Sequence, residues 1–495
     1  MSSAREHLFR RHVVIDGSGQ PPFVGDVRIR AGLVVEIGQD LAAASSAVHG
    51  HHLPGQEATV SDGLGRWALS PGFIDVHTHD DAQILLQPEM PAKISQGVTT
   101  VVAGNCGLSL VPLVTQRPEA PLDILSTTCF RFSTLEQYAQ AVDQALPAVN
   151  LAALVGHTAL RCSVMPELDR AATEQEVARM GDLLSDALQA GALGLSSGVF
   201  YKPAYAADMA ELVALCRRCA AHGGIYVTHI RTELDGILQA MQEAADTAKA
   251  GQVGLVYSHH KCAGPKNWGR ALQTLAFIDQ LRQQQEVSLD VYPYTAGSTL
   301  LREDLIDPAI DILITRSEPH PQVVGQYLAD IAREWDMGLI DCARALMPGG
   351  ACYFQVHEQD LQRVLAHPMS MIGSDGLPHD QRPHPRLWGT FPRVLGHYAR
   401  DLALMPLEQA VHKMTGLTAQ RMGLKDRGCI AVGAVADLVV FDPSSVADRA
   451  TYAQPVAPSE GIFQVYVGGH LAWSHGQLIG RHGRFVRRGQ RSEFA

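Results

Sequence analysis

No stretch of this 495-residue chain approaches the ~18–20 uninterrupted apolar residues of a membrane-spanning helix. The segment Met1–Val13 carries charges throughout and lacks an apolar core, so a secretory leader is not expected. Positive charge is not in excess either. The 40 Lys and Arg against 51 Asp and Glu leave a formal charge of −11, which argues against a nucleic-acid-binding surface. A disulfide framework is also missing, since the nine cysteines are odd in number and scattered. Cys216 and Cys219 form a C-x-x-C, but in a helical context and without a second pair, so neither a structural zinc site nor a redox pair is expected there. What remains is a reduced, cytoplasmic, globular protein of ordinary composition, 46% hydrophobic and 18% charged, long enough for a barrel-sized core and a satellite domain.

Residues 12 to about 66 read as short strands with turn signals: His12–Gly17, Gly25–Arg30 and Val34–Gly38. The other end repeats this style in Ala436–Asp442 and Val465–Gly469, so both ends are expected to pair into one small β-sandwich domain. Between them apolar strands alternate with helical stretches, the mark of parallel βα units. Eight strands are expected: Gly72–His77, Thr99–Gly104, Asn150–His157, Ala192–Gly198, Gly224–Ile230, Val253–His259, Val287–Tyr292 and Ser370–Asp375. Helices sit between them, including Thr173–Ala190, with Thr173 as N-cap and Glu176 completing a capping box, and Asp208–His222. The fold class is therefore α/β, a (β/α)8 barrel over residues 69–422, with residues 1–68 and 423–495 forming the small β-domain. About 78 residues separate the seventh strand from the eighth. The excess, about 299–350, reads as a lid-like insertion.

Barrels of this kind gather their reactive groups at the C-terminal ends of the strands. Here the first strand ends in His77-Thr78-His79, followed by Asp80 and Asp81. Residues two apart on a strand face the same side, so H-x-H offers two imidazoles to one point, as a divalent metal requires. The second strand runs into Gly104-Asn105-Cys106-Gly107, and the fifth ends in Thr228-His229-Ile230-Arg231. The sixth ends in Ser258-His259-His260-Lys261, and the eighth in Gly373-Ser374-Asp375-Gly376. Jointly these read as a metal-dependent hydrolase site. His260 points to the opposite face of its strand from His259 and is expected to pack.

At this point the chain resembles the amidohydrolase superfamily, and within it the D-aminoacylase (N-acyl-D-amino-acid deacylase) family. The most specific pieces are Pro71–His79, Gly104–Gly107, Ser258–Lys261 and the run Gly373–Val394. Many members of the superfamily bridge two metals with a modified lysine after a middle strand. Here the fourth strand ends in Leu195–Val199 with no lysine before Lys202. The resemblance implies that Cys106 takes a ligand role instead. Cys106, His229 and His259 would hold zinc tightly, and His77 and His79 would form a second, weaker site sharing Cys106 and Asp375. Asp375 would be the general base and then the general acid in hydrolysis of the amide of an N-acyl-D-amino acid, a small-molecule substrate.

Such a substrate carries a carboxylate. Lys261, Arg382 and Arg386 are available near the rim, and the resemblance favours Lys261, Tyr201, Tyr292 and Ser298 as binders. Lys202 and Arg302 are expected near the side-chain pocket, where they could pair with an acidic side chain. The segment Cys262–Arg270 looks like the acid-specific branch, and Ala296–Thr299 and Gly389–Phe391 look like the branch acting on hydrophobic D-amino acids. The competing expectations are a cyclic-amide hydrolase of the dihydroorotase or hydantoinase kind, and a non-catalytic scaffold.

Overall fold

The computed structural model describes residues 6–41 and 59–491; Met1–Arg5, within the expected leaderless start, lie outside them. Eight parallel strands close into a barrel. Their ranges are Phe73–Asp75, Val98–Ala103, Asn150–Ala153 continued by Val155–Gly156, Gly194–Gly198, Ile225–His229, Gly254–Tyr257, Val287–Val291 and Ser370–Ile372. Each lies within or overlaps a segment expected from sequence. Almost every residue in them is buried, because the interior is filled by side chains and the outer face is covered by helices. The ring is completed where the eighth strand meets the first: Asp375 N–H donates to His77 O at 2.8 Å, and Thr78 bridges Gly376.

The surrounding helices start where the sequence supplies caps. Glu174–Gln189 opens on a full capping box between Thr173 and Glu176, and Met209–Ala221 opens on Asp208, whose side chain accepts from Glu211 N–H. No helix among the described residues is long and apolar enough to cross a membrane.

Both chain ends enter one mixed nine-stranded sheet, with Leu438–Phe441 beside Ala68–Pro71 and the latter beside Glu6–Val14. The sheet curls back on itself: Leu33, on one edge strand, bridges Val435, and Val34 N–H donates to Ala434 O. Phe9, Val27, Leu69, Leu438 and Tyr466 fill the fold between its layers. Residues 69–71, expected to open the barrel unit, are hydrogen-bonded into this sheet, so the passage into the barrel falls at Gly72. The first strand begins at Glu6 and ends at Val14 rather than running to Gly17. Beyond it Asp16 turns the chain, its carboxylate accepting from Ser18 N–H.

The extra chain before the eighth strand forms a three-stranded antiparallel sheet, Gly297–Leu300, Ile312–Ser317 and Gly349–Tyr353. It carries the helices Leu328–Glu334 and Leu339–Leu346 and has its own core of Ile314, Ile331, Leu346 and Tyr353. It begins two residues before the expected insertion and ends three after it, and it roofs the C-terminal end of the barrel.

Candidate metal centre and active site

The first, second, fifth, sixth and eighth strand ends each send a polar side chain to one place. Cys106 Sγ lies 3.2 Å from His77 Nε2 and 3.4 Å from His259 Nε2, and His259 Nε2 lies 2.9 Å from His229 Nδ1. Two overlapping triads result, His77–His79–Cys106 and Cys106–His229–His259, each with its ligand atoms within 4.8 Å of one another and all buried. Burial pushes the Cys106 thiol up, but His77 and His259 beside it outweigh this and hold it well below the ordinary thiol value. A thiolate with two imidazoles is a donor set suited to zinc.

Further carboxylates aim the ligands. Asp290, in the seventh strand, accepts from His259 N–H at 2.8 Å through one oxygen and contacts His77 Nδ1 at 3.2 Å through the other. Glu233 sits 3.0 Å from His259 Nδ1. In both histidines this leaves Nε2 free to face the cluster, the arrangement metal-ligating histidines require. Cys106, His259 and Asp375 all have a left-handed backbone (φ 54°, 34° and 49°), a conformation that costs energy in residues other than glycine and concentrates at functional sites. The turn to Cys106 also depends on Gly104 (φ 80°), where a Cβ would meet Leu154 O at 2.2 Å.

Asp375 lies at the cluster's edge, its Oδ1 3.3 Å from His79 Nε2 and its Oδ2 3.0 Å from Arg386 Nη1. Burial pushes its pKa up; Arg386, His79 and His77 override this and hold it well below the usual carboxylate range. It is therefore ionised at neutral pH and able to accept a proton.

A cavity opens onto this cluster. Lys261, Tyr201, Tyr292 and Ser298 line it, with Phe200, Leu234, Leu305, Tyr353 and Leu377 on the apolar side. Lys261 Nζ is 2.6 Å from Glu233. Arg302 stays at the rim, paired with Asp304 and stacked 4.2 Å from the Phe200 ring. Two other expected residues are elsewhere. Arg382 donates to the carbonyls of Tyr452 and Ala453, tying the loop after the eighth strand to the C-terminal segment. Lys202 is exposed at the start of the helix Lys202–Tyr205. His260 packs, its Nε2 2.8 Å from Thr274 Oγ1. Cys216 and Cys219 are buried with their thiols pushed up by burial, and all nine cysteines are unpaired. Asp290 and Glu233 went unread in the sequence. A lone carboxylate inside the otherwise apolar strand Val287–Val291 was the available signal for the first; for the second there was none.

Fold and donor set together place the chain among the (β/α)8 barrels that carry a divalent-metal site at their strand ends. The chain belongs to the amidohydrolase family, whose sequence profile matches residues 67–287 and 344–472. It is 48% identical over 477 residues to a D-aminoacylase of Alcaligenes xylosoxydans xylosoxydans, covering 96% of each chain. An N-acyl-D-aspartate deacylase of the same organism is 45% identical over 464 residues, covering 93% of this chain and 90% of that one. The crystal structure of an N-acyl-D-glutamate deacylase from Bordetella bronchiseptica, in complex with zinc and a phosphonate inhibitor, superposes with a TM-score of 0.91 at 42% identity, covering 98% of this chain and all of the other.

Proposed function

We propose that this chain is a zinc-dependent deacylase that cleaves the amide bond of N-acyl-D-amino acids, releasing a carboxylate and a free D-amino acid. The observation that carries the reading is a group of buried polar atoms with no hydrogen-bond partner among the described residues: Tyr292 Oη, Ser298 Oγ and Arg386 Nε. Buried polar groups are almost always partnered, so unpartnered ones beside a cavity are matched to a ligand. The three converge: Arg386 stacks on the Tyr292 ring at 4.5 Å and donates to Ser298 O at 3.1 Å. A Cβ at Gly297 would approach Tyr292 Oη within 3.2 Å. With Lys261 they form a donor-rich, cationic cradle suited to the α-carboxylate of an amino acid.

Cys106, His229 and His259 would hold one zinc, and His77, His79, Cys106 and Asp375 a second, weaker one. Bound zinc supplies Lewis acidity, which raises the acidity of water and polarises a carbonyl. Lys261, Tyr292 and Ser298 hold the substrate by its carboxylate, which turns its amide toward Asp375. Asp375 takes a proton from the attacking water on a carboxylate oxygen and returns it to the departing nitrogen. Tyr292 remains a donor throughout, since burial pushes its phenol up despite Lys261 and Arg386 nearby. The exposed Lys202 leaves no lysine at the fourth strand end to bridge metals, which separates this centre from a lysine-bridged one. The nine free cysteines support a reducing, cytoplasmic setting.

The test is a panel of N-acetyl-D- and N-acetyl-L-amino acids, including D-Leu, D-Met, D-Asp and D-Glu. Turnover is expected on D-forms only, lost on chelation and recovered with zinc. Asp375→Ala is expected to lower kcat by about 10³-fold or more, with the tight zinc on Cys106, His229 and His259 retained. Equal rates on L-forms, or an active Asp375→Ala enzyme, would refute the reading.

A further inference from the structure

One buried cation has no part in the chemistry above. Lys93, on the helix Pro91–Ile94 between the first and second barrel strands, is completely inaccessible to solvent. Its Nζ lies 2.8 Å from Asp75 Oδ2, 2.8 Å from Ser374 Oγ and 3.1 Å from Asp80 Oδ2. An ammonium has three N–H donors; two are taken by hydrogen bonds to Asp75 and Ser374, and Asp80 adds an ion-pair contact without hydrogen-bond alignment.

The three partners are placed to matter. Asp75 lies two residues before His77, Asp80 directly follows His79, and Ser374 directly precedes Asp375. The arms are also joined to one another. Ser374 N–H donates to Asp75 Oδ1 at 2.7 Å, Gly376 N–H donates to Ser374 Oγ at 3.2 Å, and Asp375 N–H donates to His77 O at 2.8 Å. Asp375 sits between two residues pinned in this way, in the left-handed conformation that only a well-determined surrounding can impose. The first and eighth strands, which close the barrel, are bonded to each other at few points here. The ammonium is the side-chain node between them.

We infer that Lys93 is a positioning residue that sets where Asp375 stands relative to His77 and His79, acting through Ser374 and Asp75. It touches neither the cavity nor the metal cluster. The inference rests on the deacylase reading for its kinetic consequence but not for its consequence on metal binding. The Cys106–His229–His259 triad stands on the second, fifth and sixth strands, outside the reach of this node, so the two metal positions should respond differently.

Two variants test this. Ser374→Ala removes one arm without disturbing charge. Lys93→Met combined with Asp80→Asn removes the node and leaves the local net charge unchanged, where Lys93→Met alone leaves two buried carboxylates facing one another. In both, kcat on an N-acetyl-D-amino acid is expected to fall at least tenfold with KM within about twofold. In a Co²⁺ titration of the metal-free protein, the first equivalent, read by the thiolate-to-cobalt absorption, should bind as in wild type, and the second at least tenfold more weakly. Folded variants with wild-type kcat and wild-type affinity for the second equivalent would overturn the assignment, as would equal weakening of both equivalents, which marks a general structural role. If the wild-type protein turns over no N-acyl-D-amino acid, the deacylase reading fails and the cobalt titration alone decides the role of Lys93.

Discussion

Two arginines in this barrel are equally buried, each against a carboxylate, yet their surroundings differ in one respect. Arg161, on the helix His157–Val164, uses all five N–H donors: Nε to Pro203 O, Nη1 to both oxygens of Glu211, and Nη2 to Leu168 O and Arg170 O. Arg386 is paired with Asp375 at 3.0 Å, but that contact lacks hydrogen-bond alignment, and its Nε has no partner among the described residues. Completing a buried cation's donors is the ordinary requirement of folding. Leaving them incomplete beside a cavity costs stability, a cost that binding an anion recovers. The complete arginine is therefore architecture, and on the proposed deacylase reading the incomplete one would be a binding group held ready behind the cavity-lining Tyr292 and Ser298.

That contrast can be broken by exchanging each side chain for an apolar one. Arg161→Met takes from Glu211 its guanidinium partner and leaves His157 and the Ala172 N–H; His157 and Arg161 together hold that carboxylate ionised, with a pKa of about 2, against the push of burial. The expected loss is about 3–5 kcal/mol of stability, read by denaturant unfolding, with kcat of the remaining folded enzyme near wild type. A variant as stable as wild type would show that the network contributes nothing. Arg386→Met is expected to act the other way. Asp375 keeps His77 and His79 as neighbours, so the stability loss should stay below that of Arg161→Met. Removing the charged donor should lower kcat/KM by about 10²-fold, roughly 2.7 kcal/mol, within the range of hydrogen bonds to charged groups. Equal stability losses in the two variants would erase the distinction.

The sequence made one of these regions legible and not the other. The eight strands could be read because each is a short apolar run bounded by Gly or polar residues, and burial on both faces leaves parallel strands that pattern. The candidate ligands could be read because His77, His79, Cys106, His229, His259 and Asp375 fall at or just after the ends of those runs. The choice between Arg382 and Arg386 could not. They are four residues apart in one Pro-rich stretch, and only the fold shows that Arg382 reaches carbonyls at 452 and 453 while Arg386, opening the helix Arg386–Arg393, turns inward onto Asp375. Lys202 could not be placed either, since it opens a one-turn helix in which Lys202 and Tyr205 face solvent while Pro203 and Ala204 are buried. The Arg161–Glu211 pair, fifty residues apart, left no local signal, and neither did the join of residues 69–71 to a strand near the other chain end.

The smallest expected effect separates the two regions most sharply, because its two readouts move in opposite directions. Tyr292→Phe removes only the hydroxyl, and that hydroxyl is buried with no partner among the described residues. An unsatisfied buried hydroxyl costs roughly 1–3 kcal/mol, so the phenylalanine protein should be as stable as wild type or more stable, by up to about 1 kcal/mol. The aromatic ring keeps its stacking under Arg386 and near Lys261, so the shape of the cradle persists. Only a donor to the substrate's carboxylate is lost, and KM should rise about tenfold, roughly 1.4 kcal/mol, with kcat little changed. A fall in Tm would mean that the hydroxyl has a partner within the protein. Tyr292 would then belong with Arg161 among the structural groups, and the carboxylate cradle would reduce to Lys261, Ser298 and Arg386.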